Sequence, residues 1–272
     1  MDLLKPFIDE HAIDVTAFIG SWPNRLQASA EQKDLSRMAD RYQLKGVCIS
    51  HIASVFGYDT RSGNEALFKA CSQDNRLWPF AIINPTDEGW LQELQWAIDS
   101  GVRGIRLIPG YHQYKLDHPA VNRLIEIIEP YRLPLHVCAR LQDERLQHHR
   151  FYTEAVPVHS LASMISAAGD NPLIISGVNS NEKDEISRYL HADQSIDHVL
   201  YDLWHVNGPL AVISQLCQKG QASQYAFGSC TPIQTAEATI LQLSAANISE
   251  SDRRLLCCGN AERLLSMVRM SG

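Results

Sequence analysis

The chain has no CxxC pair, no low-complexity stretch and no linker-like segment. Its seven cysteines (48, 71, 138, 217, 230, 257 and 258) are scattered and odd in number. That usage points to reduced thiols in a cytoplasm, not to a disulfide framework. No apolar run approaches the roughly 20 residues that a membrane helix needs. The opening Met1-Asp2-Leu3-Leu4-Lys5-Pro6 lacks the charged-then-apolar order of a signal peptide. Positive charge is also scarce, with 24 Lys and Arg against 31 Asp and Glu. This balance argues against a general binder of nucleic acid or anionic membranes. The expected partner is a small molecule, with a homo-oligomer as the other possibility.

What is present is a repeat of short aliphatic runs and longer amphipathic stretches over all 272 residues. The runs predict strands at Ala12–Ile19, Gly46–Ser50, Leu77–Ile83, Gly104–Ile108, Leu133–Cys138, Leu173–Ser176, His198–Asp202 and Ala226–Gly228. Each is apolar almost throughout, as suits a parallel strand covered on both faces. Helices are predicted at Ala30–Tyr42, Asn64–Asp74, Trp90–Ser100 and Pro119–Tyr131. In the last, Val121, Leu124, Ile125 and Ile128 recur at helical spacing. Eight such units predict one α/β domain over residues 1–272, a (β/α)8 TIM barrel. An open doubly wound sheet is the rival, but the Gly-rich phosphate turn that would support it is missing.

Several segments carry a resemblance. They are Ile13-Asp14-Val15-Thr16-Ala17-Phe18-Ile19-Gly20, Gly101-Val102-Arg103-Gly104-Ile105-Arg106-Leu107-Ile108-Pro109, Leu116-Asp117-His118-Pro119 and Leu133-Pro134-Leu135. Phe227-Gly228-Ser229-Cys230-Thr231-Pro232 and Gly259-Asn260-Ala261-Glu262-Arg263-Leu264-Leu265 complete the set. Together they resemble the amidohydrolase superfamily, in the branch of metal-dependent hydrolases and aromatic-acid decarboxylases. The resemblance implies metal ligands where this chain has Thr16, Phe18, Gly177 and Cys230, with Cys138 or His136 at the fifth-strand position. A zinc site needs three or four converging donors at about 2.0–2.3 Å. The expectation is therefore no metal at the family position and no cofactor. Asp143-Glu144-Arg145-Leu146-Gln147-His148 further resembles a sub-branch without those ligands, which implies a distinct site.

Barrel chemistry sits at the C-terminal ends of the strands. The densest group there is Arg140-Leu141-Gln142-Asp143-Glu144-Arg145-Leu146-Gln147-His148-His149-Arg150. On a helical turn Glu144 and His148 share a face, and the carboxylate would orient the imidazole for acid–base work. Arg140 or Arg145 would then clamp a substrate carboxylate through two-point contacts. The bland alternative is a solvated charged rim. A second group, Tyr111, His112 and Tyr114, follows strand 4, where Arg106 is expected to point towards the mouth. His112 is the rival proton carrier; the alternative is a packed loop. His51, Asn179 and Asp202 are further substrate contacts, or else loop and helix caps. Cys230 is a candidate nucleophile only if a cation lowers its pKa; Cys257 and Cys258 read as structural.

The resulting expectation is a hydrolase or lyase for a small anionic organic molecule, with lactone-type or related acid–base chemistry. Catalysis falls to His148, Glu144 and His112, and binding to Arg106, Tyr111, Arg140, Arg145, Asn179, Asp202 and His51. Two alternatives stay open. One is a rearranged divalent-metal site from His51, His112, His148, His205 and Asp202; the other is a non-catalytic ligand-binding barrel.

Overall fold

The aliphatic runs form strands and the amphipathic stretches cover them, as their periodicities require. The computed structural model describes residues 3–23, 28–57, 59–191, 193–206, 208 and 211–268. The strands are β1 (Ile13–Ser21), β2 (Ser29–Ala30), β3 (Gly46–His51), β4 (Leu77–Ile82) and β5 (Gly104–Leu107). They continue with β6 (Leu135–Cys138), β7 (Leu173–Ser176), β8 (Val199–Asp202) and β9 (Tyr225–Ala226). All lie in one curled sheet of order β2-β1-β3-β4-β5-β6-β7-β8-β9. Every pairing is parallel except the short β1–β2 ladder. The eight expected strands are present; β2, too short to show a pattern, is an addition.

Backbone bonds also run from β1 to the segment after β9. Val15 N–H donates to Phe227 O (3.0 Å), Cys230 N–H to Thr16 O (2.7 Å) and Phe18 N–H to Thr231 O (2.7 Å).

Helices start where the chain supplies caps. Glu31 and Asp34 form a reciprocal capping box for Gln32–Tyr42, and Asn179 and Glu182 do the same for Ser180–Tyr189. Pro119 opens Pro119–Ile128 at the position where its missing N–H costs nothing.

Strand residues alternate. Leu135 and Val137 join the layer under the helices, as do Leu173 and Ile175, and Val199 and Tyr201. Their neighbours point to the concave side, and these sort into levels. Ile13, Val15, Cys48, Phe80, Ile174 and Leu200 form one apolar group. Phe18, Trp22, Ile108, Cys138, Trp204 and Cys230 belong to another. Arg106 lies between them, its guanidinium 4.5 Å from the Phe18 ring and 5.7 Å from that of Phe80.

Candidate functional site

The level between the two apolar groups is polar and fully buried. Arg106 donates to the carbonyls of Ala17 (3.0 Å), Cys48 (3.2 Å) and Val15 (3.4 Å). Its Nη2 also meets His136 Nδ1 at 3.3 Å. Arginine can only donate, so Nδ1 accepts, and Nε2 carries the proton towards Thr16 Oγ1 at 3.5 Å. Burial, and then the Arg106 charge, push the His136 pKa well down, so the ring is neutral. Thr16 donates to Asp202 Oδ2 (2.6 Å), as does Ser176 (2.5 Å), and Gly177 N–H donates to Oδ1 (3.1 Å).

Burial pushes the Asp202 carboxyl up to about 6 against the pull of these donors. Asp14, which accepts from Thr16 N–H and Ser229 N–H, is pushed to about 7 by the same cause. Cys230 is fully buried and its thiol is driven well up, against the thiolate that nucleophilic attack would need.

Access to solvent lies elsewhere. A cleft of about 500 Å³, a usual volume for a small-molecule site, runs from the ends of β6, β7 and β8 along the helix Val212–Gln218 to Lys219 and Gln221. Arg140, Glu144, Arg145, Asn179, Glu182 and His205 are among its walls. Arg140 donates to both Glu182 oxygens (2.8 and 2.6 Å) and to Gly177 O (3.0 Å), with Glu144 at 3.6 Å. Burial opposes ionisation of Glu182, but Arg140 and the Asn179 N–H outweigh it and hold the carboxyl below its ordinary value. His205 is pushed down to about 4, first by burial and then by the Arg140 charge. At neutral pH it presents an uncharged imidazole. Arg145 pairs with Asp143 through two nitrogens (2.9 and 2.6 Å) while its side chain stays 82% exposed.

Of the residues singled out in the sequence, Arg140, Glu144, Arg145 and Asn179 border the cleft, whereas Arg106, His112 and His148 are not among its walls. Arg106 is spent on buried carbonyls and cannot meet a substrate. Glu144 and His148 share no helical face. Glu144–Leu146 and His149–Phe151 are single 3-10 turns, and Gln147 between them is extended. Asp143 and His148 each accept a backbone N–H, from Arg145 and Arg150, so they cap turns that end too soon to stack at i,i+4. Tyr111 packs edge-on against Trp22 and Phe56. His112 Nε2 lies 3.0 Å from Ser54 O, and His51 Nδ1 accepts from Ala53 N–H. Asp202 is a buried acceptor, not a surface contact.

From sequence, His205 reads only as a possible metal ligand and Glu182 does not stand out. The Asn179-x-x-Glu182 capping pattern was the available signal for the latter.

A metal fits this arrangement poorly. Among the described residues no three His, Cys, Asp or Glu side chains converge in a way that could hold an ion. Thr16 and Asp202 are tied to each other, and at Gly177 a side chain would collide with Arg140. The same holds for the rearranged set of His51, His112, His148, His205 and Asp202, which forms no such group.

No family model and no curated protein matches the chain. Solved structures do. A 2,6-dihydroxybenzoate decarboxylase from Rhizobium is 15% identical with a TM-score of 0.67, over 94% of this chain and 98% of that one. A probable 2-pyrone-4,6-dicarboxylic acid hydrolase from Acinetobacter baumannii, with citric acid bound, is 15% identical at 0.65, over 94% and 99%. A dihydroxybenzoic acid decarboxylase from a Polaromonas species is 14% identical at 0.68, over 94% and 97%. It carries bound manganese and the inhibitor 2-nitroresorcinol. That manganese, in a neighbour of the same fold, contradicts the expectation of no cofactor for this chain. The likeness over nearly the whole length shows that this chain shares the fold of these decarboxylases and hydrolases.

Proposed function

We propose that the chain is a hydrolase or lyase acting on a small anionic organic molecule held in the cleft over β6–β8. The β1 bonds to Phe227, Cys230 and Thr231 support reading the parallel strands as a closed (β/α)8 barrel. On that reading the cleft lies on the catalytic face. The observation that carries the proposal is the meeting of an exposed arginine with a neutral histidine in one cleft. Arg145, whose side chain is mostly exposed, can turn from Asp143 to a substrate carboxylate. His205, uncharged at neutral pH, is the proton acceptor. In lactone opening it would take a proton from water as the water oxygen bonds to the carbonyl carbon. It would then return that proton to the ring oxygen as the C–O bond breaks to an alcohol and a carboxylic acid, which loses its proton to solvent. Arg140 and Glu182 hold the wall beside it.

The non-catalytic reading has one observation in its favour. Phe18, Trp22, Ile108, Leu141 and Trp204 fill the apolar level above Arg106, which leaves the working surface on the rim.

The test is calorimetric binding of a panel of small organic acids, including 2,6-dihydroxybenzoate and citrate, with and without added manganese. Products are followed by NMR. Saturable binding weakened in Arg145→Ala, with product formation lost in His205→Gln, is the expected result. Binding without product would favour the non-catalytic reading, and binding indifferent to both substitutions would remove the cleft from consideration.

A further inference from the structure

We infer that Asp202 is a positioning residue for the cleft, holding the Arg140–Glu182 pair in place through the two backbone groups of Gly177. It rests on the cleft being the binding site only for its consequence; the geometry stands by itself.

Gly177 directly follows β7, with its N–H donating to Asp202 Oδ1 (3.1 Å) and its carbonyl accepting from Arg140 Nη1 (3.0 Å). Its φ of +80° belongs to the left-handed region that side chains disfavour. A Cβ there would sit 2.6 Å from Arg140 O and 3.0 Å from Trp204 Cζ2. The turn is thus wedged between the arginine it serves and a tryptophan. Something must hold it in that conformation, and the buried carboxylate behind it does.

Asp202 cannot drift, because Thr16 and Ser176 donate to its other oxygen from β1 and β7. Ser176 is itself held by Trp204 Nε1 at 3.0 Å. From Arg140 the order passes on. Glu182 accepts both guanidinium nitrogens and caps Asn179 N–H (2.8 Å), which fixes the start of the helix Ser180–Tyr189 along the same cleft. One buried acceptor therefore sets the position of charged groups that lie outside its own level.

The experiment needs no ligand. Phenylglyoxal condenses with accessible guanidinium groups, and mass spectrometry reports each arginine separately. In the wild-type protein Arg145 reacts quickly and Arg140 slowly. In Asp202→Ala, Arg140 is expected to react about tenfold faster, the equivalent of losing one charge-assisted hydrogen bond. Arg106 should stay unreactive, which separates a local release from general loosening. Asp202→Asn retains an oxygen for Gly177 N–H and should restore protection. Three results would overturn the inference: Arg140 still protected in the alanine variant, no rescue by asparagine, or Arg106 and Arg140 released together. If Asp202→Ala does not fold, Asp202→Leu, which fills the same space without an acceptor for Gly177 N–H, replaces it, and protected Arg140 in that variant overturns the inference equally. Citrate titration of the same variants reads the consequence. If citrate and the other acids fail to bind even the wild type, the proposed function falls while the arginine reactivities still decide this point.

Discussion

Arg106 and His136 form a directed pair: Nη2 donates to Nδ1 at 3.3 Å, which makes the histidine an acceptor on one side and a donor on the other. The direction continues through Thr16 to Asp202, so a buried cation and a buried carboxylate are joined through two neutral groups. A register shift in β1 between Asp14 and Ala17 accompanies this arrangement, and Arg106 reaches the carbonyls of Val15 and Ala17 there. Replacing Arg106 by methionine keeps the length and removes these donors. The expected cost is about 2–4 kcal/mol in urea unfolding, from buried acceptors left unpaired. A stability change below about 1 kcal/mol would mean that the carbonyls find other donors.

Gly177→Ala should cost more than Gly101→Ala. Both glycines have φ near +80°, but nothing lies within 4 Å of a Cβ at Gly101. That substitution isolates the conformational penalty, about 1–2 kcal/mol. The excess at Gly177 measures the collision with Arg140 and Trp204, and equal losses at the two sites would show that the turn yields freely.

Asp14→Asn should change how stability depends on pH. The folded-state pKa of Asp14 is raised to about 7 from the ordinary 3.8, so the folded protein holds this proton more tightly than the unfolded chain. Its favourable share is complete below about pH 4 and lost as pH rises through 7. The wild-type Tm minus the Asp14→Asn Tm should therefore fall between these limits and level off above. His205 contributes the opposite slope between about 4 and 6.5, since its folded pKa is depressed. It cancels in this difference because both proteins carry it. A flat difference curve would contradict the burial argument.

Arg145→Ala tests the clamp. The side chain is mostly exposed, so its removal should change stability by less than about 0.5 kcal/mol. Loss of a charge-assisted contact to a bound carboxylate should cost about 1.5–3 kcal/mol of affinity, measured by calorimetry with an acid from the panel. Equal Kd values for the two proteins would dismiss the clamp.

His205→Gln is expected to lower turnover by about 10²–10⁴-fold, as removal of a general base does. His148→Gln and His112→Gln should leave it within a few-fold. His148 caps the turn at Arg150, and His112 lies against Ser54 O. Loss of turnover in His148→Gln with His205→Gln unaffected would return the role to the residue expected from sequence spacing.

Much of the fold was legible because its signals are local. Gly46–His51 and Leu173–Ser176 declare themselves by aliphatic runs, and Pro119–Ile128 by spacing. Predicted and observed edges differ by a residue or two, as at Leu133 against Leu135, where Pro134 supplies a carbonyl to Ile105 N–H before the strand begins. The cleft was half legible. The charged run after β6 was located, and Arg140, Glu144 and Arg145 do border the cleft. Its conformation was not, because Asp143 and His148 compete for backbone N–H groups and break the helix that the spacing assumed.

By itself the sequence determined the succession of strands and helices and the polar residues at the strand ends, since both follow from period and composition. Only the tertiary structure decided which of those polar groups meet water. Arg106 and Arg145 carry the same guanidinium. The first points inward from β5, between apolar levels contributed by strands far apart in the chain, and the second stands on a rim turn. Burial then sets the chemistry, leaving His205 neutral at the cleft and lifting Asp202 towards neutrality behind it. Desolvation depends on neighbours brought in from across the sheet, and no local pattern encodes them.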